Sequence, residues 1–134
     1  MFTTSLKTES LSRLRVIESL QPNEIFVFGS NLAGNHAGGA ARQAMESFGA
    51  IYGMGEGLTG DCYAFPTLDQ NFERLPYEVL VQSRDVFYRC ANAHPHLEFK
   101  MTAVGTGIAG YSEETMKSLF KSPPVNVAPP EEWL

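Results

Sequence analysis

Glycine-rich segments that follow short apolar runs contain the residues whose types and spacing suit ligand chemistry. Residues Gly105 to Gly110 read G-T-G-I-A-G, the G-x-G-x-x-G spacing of loops that hold a diphosphate. The segment from Gly29 to Gly39 is rich in small residues and precedes a helical pattern that begins at Ala40. Free backbone N–H groups in such loops, together with the positive end of a helix dipole, favour a phosphate. Both segments are therefore candidate phosphate-binding loops.

The G-x-G-x-x-G spacing alone is weak evidence, because a full dinucleotide-binding unit also needs a further strand with an acidic residue about 20 residues on. Only 24 residues follow Gly110, and they include a helical pattern and a proline-rich tail. The alternative is a tight strand-to-helix turn without a ligand. Two such loops, each after a predicted buried strand, favour a ligand, because neighbouring parallel strands place both loops at one end of the sheet.

Three polar side chains in or beside these loops are candidates for chemistry. Asn31 has an amide that donates and accepts, which suits a ribose hydroxyl or an oriented water; the alternative is a turn-stabilising asparagine. His36 lies in a loop that we expect to be exposed, where it suits general acid–base catalysis; the alternative is a loop histidine without chemistry. Tyr111 suits stacking on, or hydrogen bonding to, a ribose, or alternatively packing under the last helix.

No metal site is predicted. His94 and His96 are spaced H-P-H, and a metal needs more ligands than these two, with no cysteine or aspartate cluster beside them. The acidic residues near glycines, at positions 56, 61 and 69, are expected to be solvated turn residues. No nucleophile elbow, Walker loop or paired-carboxylate pattern is present.

The elements that must position these residues alternate between strands and helices. Buried strands are predicted at Glu24–Phe28, at Cys62–Phe65 closed by Pro66, and at Phe99–Val104, and the first and third are expected to be parallel neighbours. Helices are predicted over residues 10–20, 40–48 and 77–93 and after a cap at Ser112. The proline-rich tail, residues 122–134, is expected to be extended, with Trp133 as an anchor. This alternation predicts one α/β domain over residues 1–134, with an N-terminal lead-in over 1–23.

Composition narrows the class of protein. A net charge of −5 argues against a general nucleic-acid binder, which is usually basic. No apolar run is long enough for a membrane span, and the N-terminus lacks the apolar core of a signal peptide. Cys62 and Cys90 are expected to be buried free thiols, which fits a reducing cytoplasm. We therefore expect a cytoplasmic protein with a small-molecule ligand and no cofactor, whose oligomeric state the sequence leaves open.

Three segments together resemble the macrodomain family, the α/β module that binds ADP-ribose. Phe28 to Leu32 followed by Gly38 to Ala41 is similar to the family's strand ending in asparagine before a glycine pair that opens a helix. Gly55 to Pro66, G-E-G-L-T-G-D-C-Y-A-F-P, resembles its G-E-a-x-x-T-x-G-Y-x-L-P stretch. Val104 to Tyr111 is similar to its phosphate loop, G-x-G-x-x-G-[YF], and is the nearest of the three matches. The resemblance spans about residues 24–120 and is greatest to a short macrodomain-like branch of bacteria and their phages.

The resemblance implies a macrodomain-like three-layer sandwich, a mixed, mostly parallel sheet between helices, that binds ADP-ribose or a related NAD-derived nucleotide diphosphate. The implied ligand-binding residues are Gly29, Ser30, Asn31, Gly38, Gly39, Ala40, Gly105, Thr106, Gly107, Ile108, Ala109, Gly110 and Tyr111. Two departures are visible: no clear aspartate precedes Glu24 to contact adenine, and Gly38-Gly39 is followed by Ala40 rather than by an acidic residue. The second departure favours binding over catalysis.

Two alternatives stay open at this point. One is an ADP-ribosyl hydrolase acting on ADP-ribosylated acceptors, in which Asn31 orients a water and His36 carries the proton. The other is an unrelated nucleotide-binding α/β protein that resembles the family by chance.

Overall fold

The computed structural model describes Ile17 and residues 19–134. In this part of the chain the strands are β1 (Glu24–Asn31), β2 (Gly57–Thr59), β3 (Cys62–Leu68), β4 (Glu98–Met101) and β5 (Val127–Ala128). The helices are α1 (Gly39–Ser47), α2 (Tyr77–Ala93), α3 (Glu113–Leu119) and a 3-10 turn at Glu131–Trp133. The helix predicted over residues 10–20 lies almost wholly outside the described residues.

The strands form one mixed, mostly parallel sheet in the order β2-β3-β1-β4-β5. β1 lies at its centre and pairs in parallel with β3 and with β4, and β5 is parallel to β4. Only β2 runs antiparallel, as the hairpin partner of β3. The prediction that β1 and the strand near Phe99 are buried, parallel neighbours is confirmed: Glu24 lies opposite Glu98, and Val27 opposite Met101.

Helices cover both faces of the sheet, which makes a three-layer α/β sandwich. Phe26 and Phe28 of β1 pack toward α1, in a cluster with Ala44 and Phe48. The intervening Ile25 and Val27 face the other side, where they belong to the cluster formed with α2 and α3. Alternate side chains of one strand thus enter two separate cores, which explains why the run Ile25 to Phe28 is apolar throughout. The α/β class predicted from the sequence is confirmed.

Three strand ends differ from the prediction. β1 does not end at Phe28 but continues to Asn31, because it stays paired with β3 up to Leu68. β3 does not end at Pro66 but continues to Leu68, and Pro66 lies opposite Ser30 of β1. On the other side of β3, β2 reaches only as far as Ala64, so no strand there loses a hydrogen bond to the missing N–H of Pro66.

β4 ends at Met101 rather than at Val104. The N–H of Val104 donates to the carbonyl of Thr102 at 2.7 Å, a tight turn that takes the chain out of the sheet and into the loop after β4.

The remaining predicted elements are placed as expected. α2 spans Tyr77–Ala93, and the hydroxyl of Ser112 caps α3 by accepting from the N–H of Thr115 at 3.1 Å. The tail adds β5 to the sheet edge, and the buried Trp133 stacks on Phe120 with 6.0 Å between ring centroids. The tail is therefore part of the fold and reaches the end of the sheet where the loops lie.

Candidate functional site

A cleft of about 1110 Å³ lies where the parallel strands β1, β3 and β4 end. The carboxyl ends of β1 and β3 line it, as do the segment after β4, the start of α1 and the tail residues around Pro129. In open α/β sheets, crevices at the carboxyl ends of parallel strands are the usual ligand sites. The two glycine-rich loops are thus brought to one cleft, as their position after neighbouring parallel strands predicts.

Eleven of the proposed ligand-binding residues line this cleft, and Gly110 and Tyr111 do not. The eleven are Gly29, Ser30, Asn31, Gly38, Gly39, Ala40, Gly105, Thr106, Gly107, Ile108 and Ala109. The structure therefore assembles residues that lie about 70 positions apart in the chain into one concave surface.

The first group of hydrogen-bond donors in the cleft is the N-terminus of α1. Arg42 is the first residue of the helix whose N–H is bonded, to the carbonyl of Gly38 at 3.2 Å. Gly38 occupies the N-cap and offers no side-chain oxygen. Within the described residues, the amides of Gly39, Ala40 and Ala41 therefore have no partner. These three consecutive donors, with the positive end of the helix dipole, suit an anion.

The second group of donors comes from the loop after β4. Within the described residues, no partner accepts from the amides of Gly107, Ile108 and Ala109. The loop is closed around them, because Tyr111 donates from its backbone N–H to the Gly105 carbonyl at 3.0 Å and Gly110 donates to the Gly107 carbonyl at 2.9 Å. Successive unpaired amides in a turn form an anion-binding concavity.

The glycines of the loop after β4 serve different purposes. Gly105 has φ +82°, and a Cβ there would collide with the sulfur of Met116. Gly110 has φ +74°, a conformation that L side chains rarely adopt. Gly107 has neither constraint, since its φ is not left-handed and a Cβ would meet no atom within 4 Å. The fold therefore requires glycine at positions 105 and 110. At Gly107 it does not, and the missing side chain only leaves more space in the cleft.

Gly38 repeats this feature in the other loop. Its φ is −151°, ordinary extended backbone, and a Cβ there would also meet nothing within 4 Å. Neither backbone conformation nor packing requires glycine at this position, and a serine, aspartate or asparagine would cap the helix better. Each free-amide group is thus next to a glycine that the fold does not require, and both glycines line the cleft.

The amide of Asn31 is already used within its own loop. Its Nδ2 donates to the Asn35 carbonyl at 2.9 Å, and its Oδ1 accepts from the Asn35 N–H at 3.0 Å. This is the turn-stabilising arrangement considered as the alternative. Asn31 still lines the cleft, and an amide has one further N–H and one further lone pair for a ligand.

The expectation that His36 is exposed is wrong. The residue is completely buried, and it does not line the cleft. Its Nε2 lies 3.1 Å from the carbonyls of both Ile51 and Met54, and its ring sits edge-on to Phe28 at 5.3 Å. Two acceptors at Nε2 place the proton on that nitrogen. The imidazole ties the segment around Met54 to β1, and this position offers a cleft ligand no general acid or base.

Tyr111 supports the loop from behind rather than lining the cleft. Its hydroxyl donates to the Leu75 carbonyl at 2.6 Å, and the Arg74 guanidinium lies 4.4 Å from its ring centroid. Arg74 also donates to the carbonyls of Ala109 and Gly110, at 3.4 and 3.2 Å. Tyr111 therefore has a packing role, but its side chain fixes the loop after β4 against the segment that leads into α2 rather than against the last helix.

Sequence reasoning missed several lining residues. Phe72 lies in the loop after β3, Lys100 lies on β4, and Pro129 to Glu132 come from the tail. A half-exposed phenylalanine and a proline-rich tail carry no recognisable ligand motif, so only the tertiary placement identifies them. Lys100 is already engaged, with its Nζ 3.5 Å from a Glu24 carboxylate oxygen. An anion in the cleft would therefore rely mainly on backbone donors.

The thiols and histidines outside the cleft show no sign of chemistry. Cys62 and Cys90 are both free, and burial raises the pKa of each thiol, which keeps it protonated at neutral pH. Cys62 is fully buried, whereas Cys90 is only partly so. His94 is held by its own helix, with Nδ1 2.8 Å from the Cys90 carbonyl. Among the described residues no cluster of His, Cys, Asp and Glu could hold a metal ion.

The helices that the structure describes include none with the length and apolar character needed to cross a membrane. No protein-family model matches the chain, and no curated protein and no solved structure matches it. A proposal about the ligand therefore starts from the cleft and its two groups of unpaired amides.

Proposed function

We propose that this protein binds ADP-ribose or a related NAD-derived nucleotide diphosphate in the cleft at the end of the sheet. Two groups of three unpaired backbone amides support the proposal, one at the start of α1 and one at Gly107 to Ala109. A diphosphate presents oxygens on two adjacent phosphorus atoms, which matches two donor groups on opposite loops.

One observation carries the proposal: Gly38 and Gly107 lack side chains that the fold has room for. A Cβ at either position meets nothing within 4 Å, and both residues line the cleft beside the unpaired amides. Glycine beside a phosphate allows the backbone to approach the ligand closely. The resemblance of three segments to macrodomains supports the same ligand, and we propose that the chain is a short macrodomain-like protein.

We propose binding without hydrolysis as the activity, so that the protein serves as a reader, sensor or sink for the nucleotide. The buried position of His36 argues against its role as a proton carrier. The free thiols fit a reducing, cytoplasmic setting. A net charge of −5 favours a small-molecule ligand over nucleic acid.

Calorimetry with ADP-ribose, NAD, AMP and inorganic pyrophosphate tests the proposal on the parent protein and on Gly107→Val. We expect the parent to bind ADP-ribose and Gly107→Val to lose about 100-fold or more in affinity, because the isopropyl group fills the space of the diphosphate. The melting temperature should stay within about 2 °C of the parent, since a Cβ at Gly107 meets no atom within 4 Å.

Gly107→Ala is the matched control, because it adds the same Cβ without the two further methyl groups and should show a smaller loss. Absence of any affinity of the parent for these nucleotides, or equal affinity of parent and Gly107→Val, would overturn the proposal. Release of ADP-ribose from an ADP-ribosylated protein by the parent would instead support the hydrolase.

A further inference from the structure

Phe72 is an aromatic side chain in the cleft that folding does not explain. It lies in the loop after β3, the residue is 51% exposed, and it is the only aromatic residue among those lining the cleft in the described part of the chain. It belongs to neither hydrophobic cluster and makes no aromatic pair within the described residues. The ring therefore contributes little to the core.

The backbone of Phe72 is in an unfavourable conformation. Its φ is +64°, the left-handed region that bulky L residues rarely occupy. The turn imposes this conformation, because the Asp69 carboxylate accepts from the amides of Asn71 and Glu73, at 2.8 and 3.0 Å, and the Phe72 N–H donates to the Asp69 carbonyl at 3.1 Å. Glycine or asparagine would fit the turn with less strain. Strain of this kind is concentrated at functional sites.

The Phe72 loop is joined directly to the loop that supplies the second amide group. Arg74, two residues after Phe72, donates to the carbonyls of Ala109 and Gly110 and lies over the Tyr111 ring. Tyr111 in turn donates to the carbonyl of Leu75. The backbone that carries Phe72 is therefore tied to the loop that contains Gly107 to Ala109, and both line the same cleft.

We propose that Phe72 is the platform on which the aromatic base of the nucleotide stacks when its diphosphate occupies the amide groups. This inference rests on the proposed function and extends it to the base. A flat, half-exposed ring that lines the cleft together with the loop after β4 has a face available for stacking on another ring. Each stacked base contributes appreciably to affinity in single-strand-binding proteins, whichever base it is.

The proposal has a consequence for specificity. A phenylalanine ring recognises the face of a base and makes no hydrogen bond to its edge, so it discriminates poorly between bases. ADP and GDP should therefore bind with affinities within about fivefold of each other. Inorganic pyrophosphate, which has no base, should bind more weakly than ADP.

The test compares Phe72→Leu, Phe72→Asn and Phe72→Tyr with the parent by calorimetry and thermal melting. Phe72→Leu keeps the apolar bulk and the strained backbone but removes the ring face, and we expect its Kd for ADP-ribose to rise about 10-fold. Phe72→Asn should lose as much affinity while melting no lower than the parent, because asparagine tolerates the left-handed conformation. Phe72→Tyr should bind within about threefold of the parent.

Ser122→Asn is the matched control, because Ser122 is the other non-glycine residue with positive φ in the described chain, at +49°, and it does not line the cleft. It should leave the affinity unchanged. Pyrophosphate should bind Phe72→Leu as it binds the parent, since the amides are untouched.

The outcomes separate this inference from the function on which it rests. If the parent binds ADP-ribose and Phe72→Leu and Phe72→Asn bind it equally well, the platform is wrong and the proposed function stands. If Phe72→Leu loses affinity for pyrophosphate to the same extent as for ADP-ribose, the ring affects phosphate binding or the shape of the loop, and the stacking proposal is again wrong. If the parent binds neither compound, the proposed function fails and the platform with it.

Discussion

Two glycine-rich segments of this protein look alike in sequence and do different work. Gly53 to Gly60 carries four glycines and Gly105 to Gly110 carries three. In the first segment, two missing side chains allow backbone to pack on backbone, since a Cβ at Gly55 would collide with the Asn31 carbonyl and one at Gly60 with the Gly49 carbonyl. Gly53 and Gly57 instead adopt positive φ, at +97° and +106°. In the second, Gly107 faces open space in the cleft.

The difference teaches that glycine content has at least two physical causes. The first part of the segment from Gly53 to Gly60 packs against the end of β1, where Ser30 donates from its hydroxyl to the Gly55 carbonyl and His36 contacts the Met54 carbonyl. It supports the first loop through Gly55, the one buried residue between Gly53 and Gly60. The segment from Gly105 to Gly110 instead contributes the unpaired amides of Gly107 to Ala109 to the cleft, and the missing side chain of Gly107 leaves room there for a ligand.

Gly55→Ala should have the largest effect and tests the structural half of the comparison. Its Cβ would overlap backbone atoms of Asn31 and Leu32, which cannot move without shifting β1. We expect a loss of about 3 kcal/mol or more in the free energy of unfolding, measured by urea denaturation. Gly53→Ala is the control from the same segment, because a Cβ there meets nothing within 4 Å and only its φ of +97° is unfavourable. Equal losses in both variants would contradict the packing argument.

Gly38→Val tests the ligand half of the comparison at the first loop. The added side chain would stand in the cleft beside the unpaired amides of α1, and we expect the Kd for ADP-ribose to rise about 30-fold, corresponding to roughly 2 kcal/mol. The free energy of unfolding should fall by only about 1 kcal/mol, because valine is a poorer N-cap than glycine, whereas φ is −151° and no atom lies within 4 Å. Calorimetry and urea denaturation on one sample measure both. A variant that loses stability but keeps its affinity would place Gly38 with the structural glycines.

The smallest expected effect is on stability at alkaline pH, and it concerns Cys62, two residues after the segment from Gly53 to Gly60. The Cys62 thiol donates to the Thr59 carbonyl at 3.0 Å, and burial raises the pKa of the thiol above its value of about 9 in an exposed cysteine. The folded state then holds this proton more tightly than the unfolded state. The thiol therefore leaves the free energy of unfolding unchanged below about pH 9. Above that pH the free energy of unfolding falls, by at most about 1.4 kcal/mol per pH unit.

Thermal melting of the parent and of Cys62→Ala between pH 8 and pH 10.5 measures this contribution. Tyr88 also affects stability at the upper end of this range, because burial raises its pKa from about 10 in the unfolded chain to about 12 in the folded protein, so only the difference between the two proteins is assigned to Cys62. ADP-ribose affinity should show no corresponding difference, because Cys62 does not line the cleft. Parallel melting curves across this pH range would show that the thiol does not contribute.

The order and type of most elements were predictable because they depend on local patterns. The apolar run Ile25 to Phe28 predicts a strand buried on both faces, and helical spacing after Gly39 predicts α1. A helix between two strands favours a parallel arrangement of those strands. Neighbouring parallel strands end at the same edge of the sheet, so both glycine-rich loops lie at one cleft. The extension of β3 through Pro66 was not predictable, because it depends on how short its partner β2 is.

The sequence by itself determined the α/β layering and the presence of two loops suited to an anion, because hydrophobic period and glycine position act over a few residues. Only the tertiary structure decided which glycines serve packing and which face the cleft, since Gly55 and Gly107 differ in what lies across from them rather than in their neighbours along the chain. It also decided that His36 is buried and that Phe72 lines the cleft. Burial is a property of contacts between distant segments, and no local pattern specifies it.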